Sequence, residues 1–243
     1  FLPAASMASK RLSITDEKAH YLLSVLRCRE GDHFIIFDGR GTCFLAVIIE
    51  TRKHEVIAEI LESSSCNMES PLYSILAQGI LKGEKMDMVV QKTTELGVHE
   101  IVPLITERSQ LKDTRRVKRW RRISEEAARQ SGRSMVPHIH EPVVLQTFLL
   151  SLVSHSPLRG FIFYEEGDKK LTTAARELHT RQDGGVSRML VLIGPEGGFS
   201  REEVRFVEEK GLDVVSLGPR VLRAETAAIS AIALIQYSFG DMG

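Results

Sequence analysis

The chain of 243 residues is 43% hydrophobic and 26% charged, enough apolar content to bury one large core or two smaller ones, which excludes intrinsic disorder. Its 32 Lys and Arg balance 32 Asp and Glu, so net charge by itself identifies no partner. No apolar run approaches the length of a membrane span and no basic-then-apolar leader is present, so a soluble protein of the cytoplasm is expected, with no membrane partner.

In chain order, the sequence starts at Phe1 rather than Met, which suggests a trimmed start. Asp16 to Arg27 is predicted to be a helix burying Leu22, Leu23 and Leu26. His33 to Asp38, Thr42 to Glu50 and Glu55 to Leu61 are predicted strands, with Asp38-Gly39-Arg40-Gly41 as a hairpin turn. Three such strands suggest a small barrel, for which the pattern equally allows OB-like or SH3-like closure. Cys28, Cys43 and Cys66 are odd in number, widely spaced and free of a C-x-x-C pattern, which favours reduced thiols over disulfides or zinc. The polar, turn-rich stretch Ser63 to Pro71 marks a boundary, giving domains 1–67 and 72–243.

Beyond it, strands and helices alternate: Tyr73 to Ile80, a helix from Glu84, Ile101 to Ile105, a basic helix, Phe161 to Tyr164, a helix from Asp168, then Met189 to Ile193 and Val214 to Leu217. That order predicts an α/β domain with a parallel sheet. The helix from Glu84 presents Met86, Val89, Val90, Thr93 and Leu96 on one face, and Gly97 stops it. Between Arg108 and Arg133 the sequence holds ten Lys or Arg against three acids. Val117, Trp120, Ile123 and Ala127 form a buried helical stripe there, and arginines fill the other faces. Any one of them suits a solvated helix surface; as a cluster they suit phosphate, with Arg108, Arg115, Arg119, Arg122 and Arg133, and Arg27 in the first domain, as candidate RNA contacts. His138 and His140 alternate as on a strand face, and no third ligand has useful spacing, so no metal is expected.

Two C-terminal stretches carry the chemistry: Leu192-Ile193-Gly194-Pro195-Glu196-Gly197-Gly198-Phe199, and Leu217-Gly218-Pro219-Arg220-Val221-Leu222-Arg223-Ala224-Glu225-Thr226-Ala227. Each is an apolar strand breaking into a Gly-Pro loop before a helix, the first helix announced by a capping box of Ser200 and Glu203. Single Gly-Pro pairs mark ordinary turns, but two such loops at the carboxyl ends of strands make a ligand site. Neither fits G-x-G-x-x-G or a P-loop, so a dinucleotide or triphosphate is disfavoured, and a nucleoside-like cofactor held by backbone groups remains.

These two stretches, with Lys82-Gly83-Glu84-Lys85-Met86, Gln91 to Val98, Glu107-Arg108-Ser109, Gln130 to Arg133 and His20 to Arg27, closely resemble the ribosomal RNA small subunit methyltransferase E family over nearly the whole chain. The resemblance implies a PUA-like RNA-binding domain followed by a SPOUT-type α/β domain with a C-terminal trefoil knot. It implies a homodimer that uses S-adenosyl-L-methionine to methylate N3 of a uridine in 16S ribosomal RNA of the small subunit. It further implies cofactor contacts from Phe163 and Tyr164, from Ile193, Gly194, Pro195, Glu196, Gly197 and Gly198, and from Leu217, Gly218, Val221, Leu222, Arg223 and Thr226.

Methyl transfer from a sulfonium is mostly alignment and water exclusion, but the N3 proton of uridine must leave, so a base or an anion-stabilising group is needed. Glu196 and Glu225 are the carboxylates inside the motifs, each alternatively a cap for loop N–H groups. Arg223 suits the charge developing on the uracil oxygens or a flanking phosphate, and alternatively pairs with Glu225. On the final helix, Ile229, Ile232, Ala233 and Gln236 form a stripe that suits either a dimer interface or the core. Two other classes stay open: a noncatalytic assembly factor binding ribosomal RNA, which leaves the motif loops unexplained, and a nucleotide-dependent oxidoreductase, which lacks its fingerprint.

Overall fold

The computed structural model describes Leu2 and residues 9–65, 68–110, 115–153, 159–180 and 187–243. It forms two compact units, Phe1–Glu69 with Gly132–Val136, and Ser70–Ser131 with Pro137–Gly243. The segment Gly132–Val136 thus belongs to the first unit, whereas the sequence reading places it in an uninterrupted second domain. Glu69 is the reason: its carboxylate pairs with Arg133 at 2.6 Å and accepts the N–H groups of Ser134 and Met135, each at 2.9 Å.

In the first unit, β1 (Arg11–Thr15), β2 (His33–Phe37), β3 (Thr42–Arg52) and β4 (Glu55–Ser65) form an antiparallel sheet in the order β1-β4-β3-β2. Alternate residues, including Leu12, Ile14, Ala46, Ile48, Val56 and Ala58, point into one core, as a sheet covered on one face requires. The hairpin turn forms where expected, Asp38 Oδ1 accepting from the N–H groups of Arg40 and Thr42. The first strand, absent from the sequence reading, pairs with β4 across 40 or more residues of chain, from Thr15 opposite Glu55 to Arg11 opposite Glu59. Helix α1 (Asp16–His20) runs into a π-helical turn, Tyr21–Val25. Leu22 is buried there, but Leu26, expected in the core, is 52% exposed because the helical turn has ended. The expectation of reduced thiols fails at Cys43, which is disulfide-bonded, while Cys28 is free. Spacing along a chain does not disclose which thiols the fold brings together. Cys66 lies outside the described residues.

In the second unit, β5 (Tyr73–Gly79), β6 (Glu100–Ile105), β7 (His138–Ile139), β8 (Val143–Val144), β9 (Gly160–Phe163), β10 (Lys169–Lys170), β11 (Arg188–Ile193) and β12 (Asp213–Ser216) make a sheet ordered β10-β12-β9-β11-β5-β6-β7, with β8 also on β6. Every pairing in it is parallel. Met189, Val191 and Ile193 of β11 enter one core with α2 (Lys85–Glu95), α3 (Val117–Gln130), α5 (Leu171–Thr180) and α7 (Ala224–Phe239). Leu190 and Leu192 enter the other, with α4 (Leu145–Val153) and α6 (Arg201–Glu209). Both faces are covered, which is why the central strands read as unbroken apolar runs. The short strands β8 and β10 and helix α4 are additions to the sequence reading. Two-residue strands carry no periodicity, whereas α4 does show a face, Leu145, Phe148, Leu149 and Leu152 at helical spacing entering the core.

Candidate cofactor site and its loops

Strands β12, β9 and β11 are neighbours, so the loops leaving their carboxyl ends lie side by side. Together with Lys85 from the start of α2 they enclose a cavity of about 450 Å³. Its walls include Phe163 at the end of β9 with Tyr164 after it, Ile193 at the end of β11 with Gly194, Pro195, Glu196 and Gly198 after it, and Leu217, Gly218, Val221, Leu222 and Arg223 after β12. Gly197 and Thr226, also expected at the cofactor, do not line it. Thr226 is exposed on α7, one position past the buried Glu225. Gly197 faces outward: a Cβ there would sit 3.2 Å from Cβ of Arg108. Lys85, Glu165, Phe199, Arg220 and Glu225 also line the cavity. Of these, Lys85 stands in the Lys82–Met86 motif, a signal the sequence reading recognised without giving it a role.

The loop after β11 is held from several sides. Ser200 and Glu203 make the capping box of α6, Ser200 N donating to Glu203 Oε2 at 2.9 Å and Glu203 N to Ser200 Oγ at 3.3 Å. Buried Gln78 donates Nε2 to the carbonyl of Gly194 at 3.1 Å. Glu196 Oε1 accepts from the backbone N–H of Lys82 at 3.1 Å and pairs with Lys85 Nζ at 3.2 Å. Burial alone would raise the Glu196 carboxyl, but the N–H groups of Lys82 and Glu196 and the Lys85 ammonium outweigh it and hold the group below the usual carboxylate range. These two donors tie the Glu196 carboxylate to the residues at the start of α2.

Arg223 occupies the N-cap position of α7 in extended conformation and is exposed. The alternative ion pair with Glu225 is not formed. Glu225 is 8% exposed, and its Oε2 has no hydrogen-bond partner among the described residues. A buried carboxylate oxygen without a donor costs free energy that a bound ligand carrying N–H or O–H groups recovers.

The candidate RNA arginines divide. Arg115 and Arg122 are exposed on or beside α3, and Arg27 is exposed in the first unit with φ of 55°. Arg108 is exposed in the loop after β6. Arg119 is tied to Asp87 of α2 at 2.8 Å. Arg133 is 4% exposed and bound to Glu69, so it is a structural residue rather than a free phosphate contact. On α7, Ile232 and Gln236 are buried inside the unit, Gln236 accepting from Ser70 Oγ at 2.7 Å, which assigns these two to the core, while Ile229 and Ala233 of the same stripe are half-buried. His140 is engaged with Glu100 at 2.6 Å.

The RNA methyltransferase domain family matches residues 68–236, and the RNA methyltransferase PUA domain family matches residues 14–61. The chain is 33% identical to the ribosomal RNA small subunit methyltransferase E of Bacillus subtilis over 230 residues, covering 93% of this chain and 89% of that protein. This chain belongs to the ribosomal RNA small subunit methyltransferase E family. Among solved members of that family, the Neisseria gonorrhoeae enzyme bound to S-adenosylmethionine superposes with a TM-score of 0.83 at 32% identity, covering 96% of this chain and 94% of that one. A Legionella pneumophila methyltransferase in complex with the same cofactor superposes with a TM-score of 0.81 at 36% identity, covering 99% and 95%. Family members thus share the parallel sheet whose carboxyl-end loops enclose the cavity here.

Proposed function

We propose that this chain is an S-adenosylmethionine-dependent methyltransferase acting on N3 of a uridine in 16S ribosomal RNA of the small subunit. The observation that carries the reading is the cavity itself: three neighbouring loops bearing the family's motifs, walled by backbone and apolar groups, with one buried carboxylate oxygen left for a ligand donor. Its volume suits a nucleoside-sized ligand. Ile193, Leu217 and Leu222 would pack the apolar parts of S-adenosylmethionine, the backbone of Gly194 and Gly218 its polar edges, and Glu225 an N–H or O–H group. When bound, that cofactor supplies an electrophilic methyl group.

The protein's own contribution is orientation, exclusion of water and stabilisation of charge. Arg223, exposed at the cavity rim, would hold the negative charge on the uracil oxygens as the N3 proton leaves. Arg115 and Arg122, with Arg108, would hold RNA phosphates. The trefoil knot, the homodimer and the cytoplasmic compartment belong to the same proposal. Leu234 and Tyr237 on α7, exposed by 42% and 66%, replace Ile232 and Gln236 as the interface residues. No described helix is long and apolar enough to cross a membrane.

Calorimetry with S-adenosylmethionine, followed by nucleoside mass spectrometry of small-subunit RNA treated with the protein, tests the reading. One new methyl on uridine N3 is expected. A methyl on carbon-5 or a ribose oxygen overturns the assigned reaction, and absence of cofactor binding by the folded protein overturns the cofactor site.

A further inference from the structure

Gly197, the second glycine of the loop after β11, does not face the cavity. It leaves room for Arg108, whose Cβ and backbone oxygen lie 3.2 and 3.6 Å from where a Cβ at 197 would stand. Arg108 Nη1 donates to the carbonyl of Gly197 at 3.0 Å. The preceding backbone N–H, that of Glu107, donates to Glu203 Oε1 at 2.8 Å, and Glu203 is also the capping-box residue of α6. The loop after β6 therefore grips the cofactor loop at Gly197, next to the wall that faces the cavity, and the first turn of the following helix α6 at Glu203. The cofactor loop is also held from the start of α2: the Lys85 ammonium pairs with Glu196, and the backbone N–H of Lys82 donates to the same carboxylate.

Arg108 is exposed, and its remaining guanidinium nitrogens have no partner among the described residues. A guanidinium is a planar fork of five donors and can hold a carbonyl and a phosphate at once, which an ammonium does poorly. We infer that Arg108 is a positioning residue through which an RNA phosphate braces the cofactor loop, so that RNA and cofactor each strengthen the binding of the other. The inference rests on the cofactor and RNA assignments made above. With one nitrogen on Gly197 and the others on phosphate, RNA would restrict the loop that walls the cavity, and the coupling is reciprocal by linkage.

The experiment measures the affinity of the demethylated product S-adenosylhomocysteine by calorimetry, with and without a saturating short oligouridylate, for the wild type, Arg108→Ala and Arg108→Lys. The wild type is expected to bind about fivefold or more tightly with the RNA present, the lower bound of ordinary coupling. In both variants the ratio should fall towards one, while circular dichroism and the urea midpoint show that they fold. If Arg108→Ala weakens binding equally in both conditions and keeps the wild-type ratio, Arg108 is a loop brace alone and the inference is overturned. A wild-type ratio of one also overturns it. A wild type that binds no product at all overturns the cofactor assignment itself.

Discussion

Trp120 of α3 donates its indole N–H to Asp87 Oδ1 at 3.0 Å, while its neighbour Arg119 holds Oδ2 of the same carboxylate at 2.8 Å. The basic helix is thereby joined to α2, whose first turn carries the cavity residue Lys85. Asp87→Ala leaves a fully buried indole N–H without an acceptor and is expected to destabilise the fold by about 1–3 kcal/mol. Urea titration should show a lower midpoint at unchanged slope. Arg119→Ala should cost no more than about 1 kcal/mol, because its side chain is mostly exposed.

This division also refines the test of RNA contact. Replacing Arg115 and Arg122 together by Ala should weaken RNA binding and reduce its salt dependence by roughly one phosphate contact per residue, leaving cofactor affinity unchanged. Filter binding at several salt concentrations checks it. Unaltered binding would make this face of α3 merely solvated.

Glu196 ties the cavity loop to pH through its contacts with Lys82 and Lys85. A carboxyl held below its ordinary range contributes stability that is present above the unfolded value and is lost as pH falls through the folded one. Cofactor affinity should therefore be flat from pH 8 to 5 and decline only below about 4, the ordinary carboxylate value. Lys85→Ala, which removes one of the donors, should weaken the cofactor about twofold to fivefold and move the decline to higher pH. Calorimetry across that range reads both.

Two loop glycines should fail for different reasons. At Gly194 a Cβ would stand 3.0 Å from the carbonyl carbon of Gly198, so Gly194→Val forces the loop open. At Gly218 nothing lies within 4 Å, but φ is 104°, so Gly218→Val is strained by backbone conformation instead. Asn at 218 should therefore retain more cofactor affinity than Val, since it tolerates positive φ better, whereas Asn at 194 should not be rescued. Calorimetry on folded variants distinguishes the two.

At the opposite ends of the strands, Tyr73 donates to Glu100 at 2.7 Å. Burial first, then this bond and the carboxylate charge, push the Tyr73 phenol up to about 12. Ultraviolet titration should show one late tyrosine that shifts down in Glu100→Gln. A raised phenol contributes stability that is full below its unfolded value and is lost as pH rises through the folded one, here between about 10 and about 12.

The local features of this protein are legible in the order of its amino acids. Apolar runs such as Met189 to Ile193 identify a strand covered on both faces, Ser200 and Glu203 identify a helix start, and Trp120 with Val117 identifies a buried stripe. These follow from forces acting within a turn or a strand, so periodicity displays them. The motif stretches likewise displayed the cavity-wall glycines, prolines and leucines. What each polar side chain meets depends instead on the folded arrangement. Arg133 and Arg122 look alike in a basic segment, yet Glu69, remote in sequence, buries the first while the second stays in water. Gly197 and Gly198 are adjacent glycines, but Arg108 claims one and the cavity the other. Glu196 and Glu225 carry the same group, and the difference is that Lys82 and Lys85 reach only the first. Ion pairs and hydrogen bonds act over a few ångströms in space, and chain separation says nothing about which partners come that close.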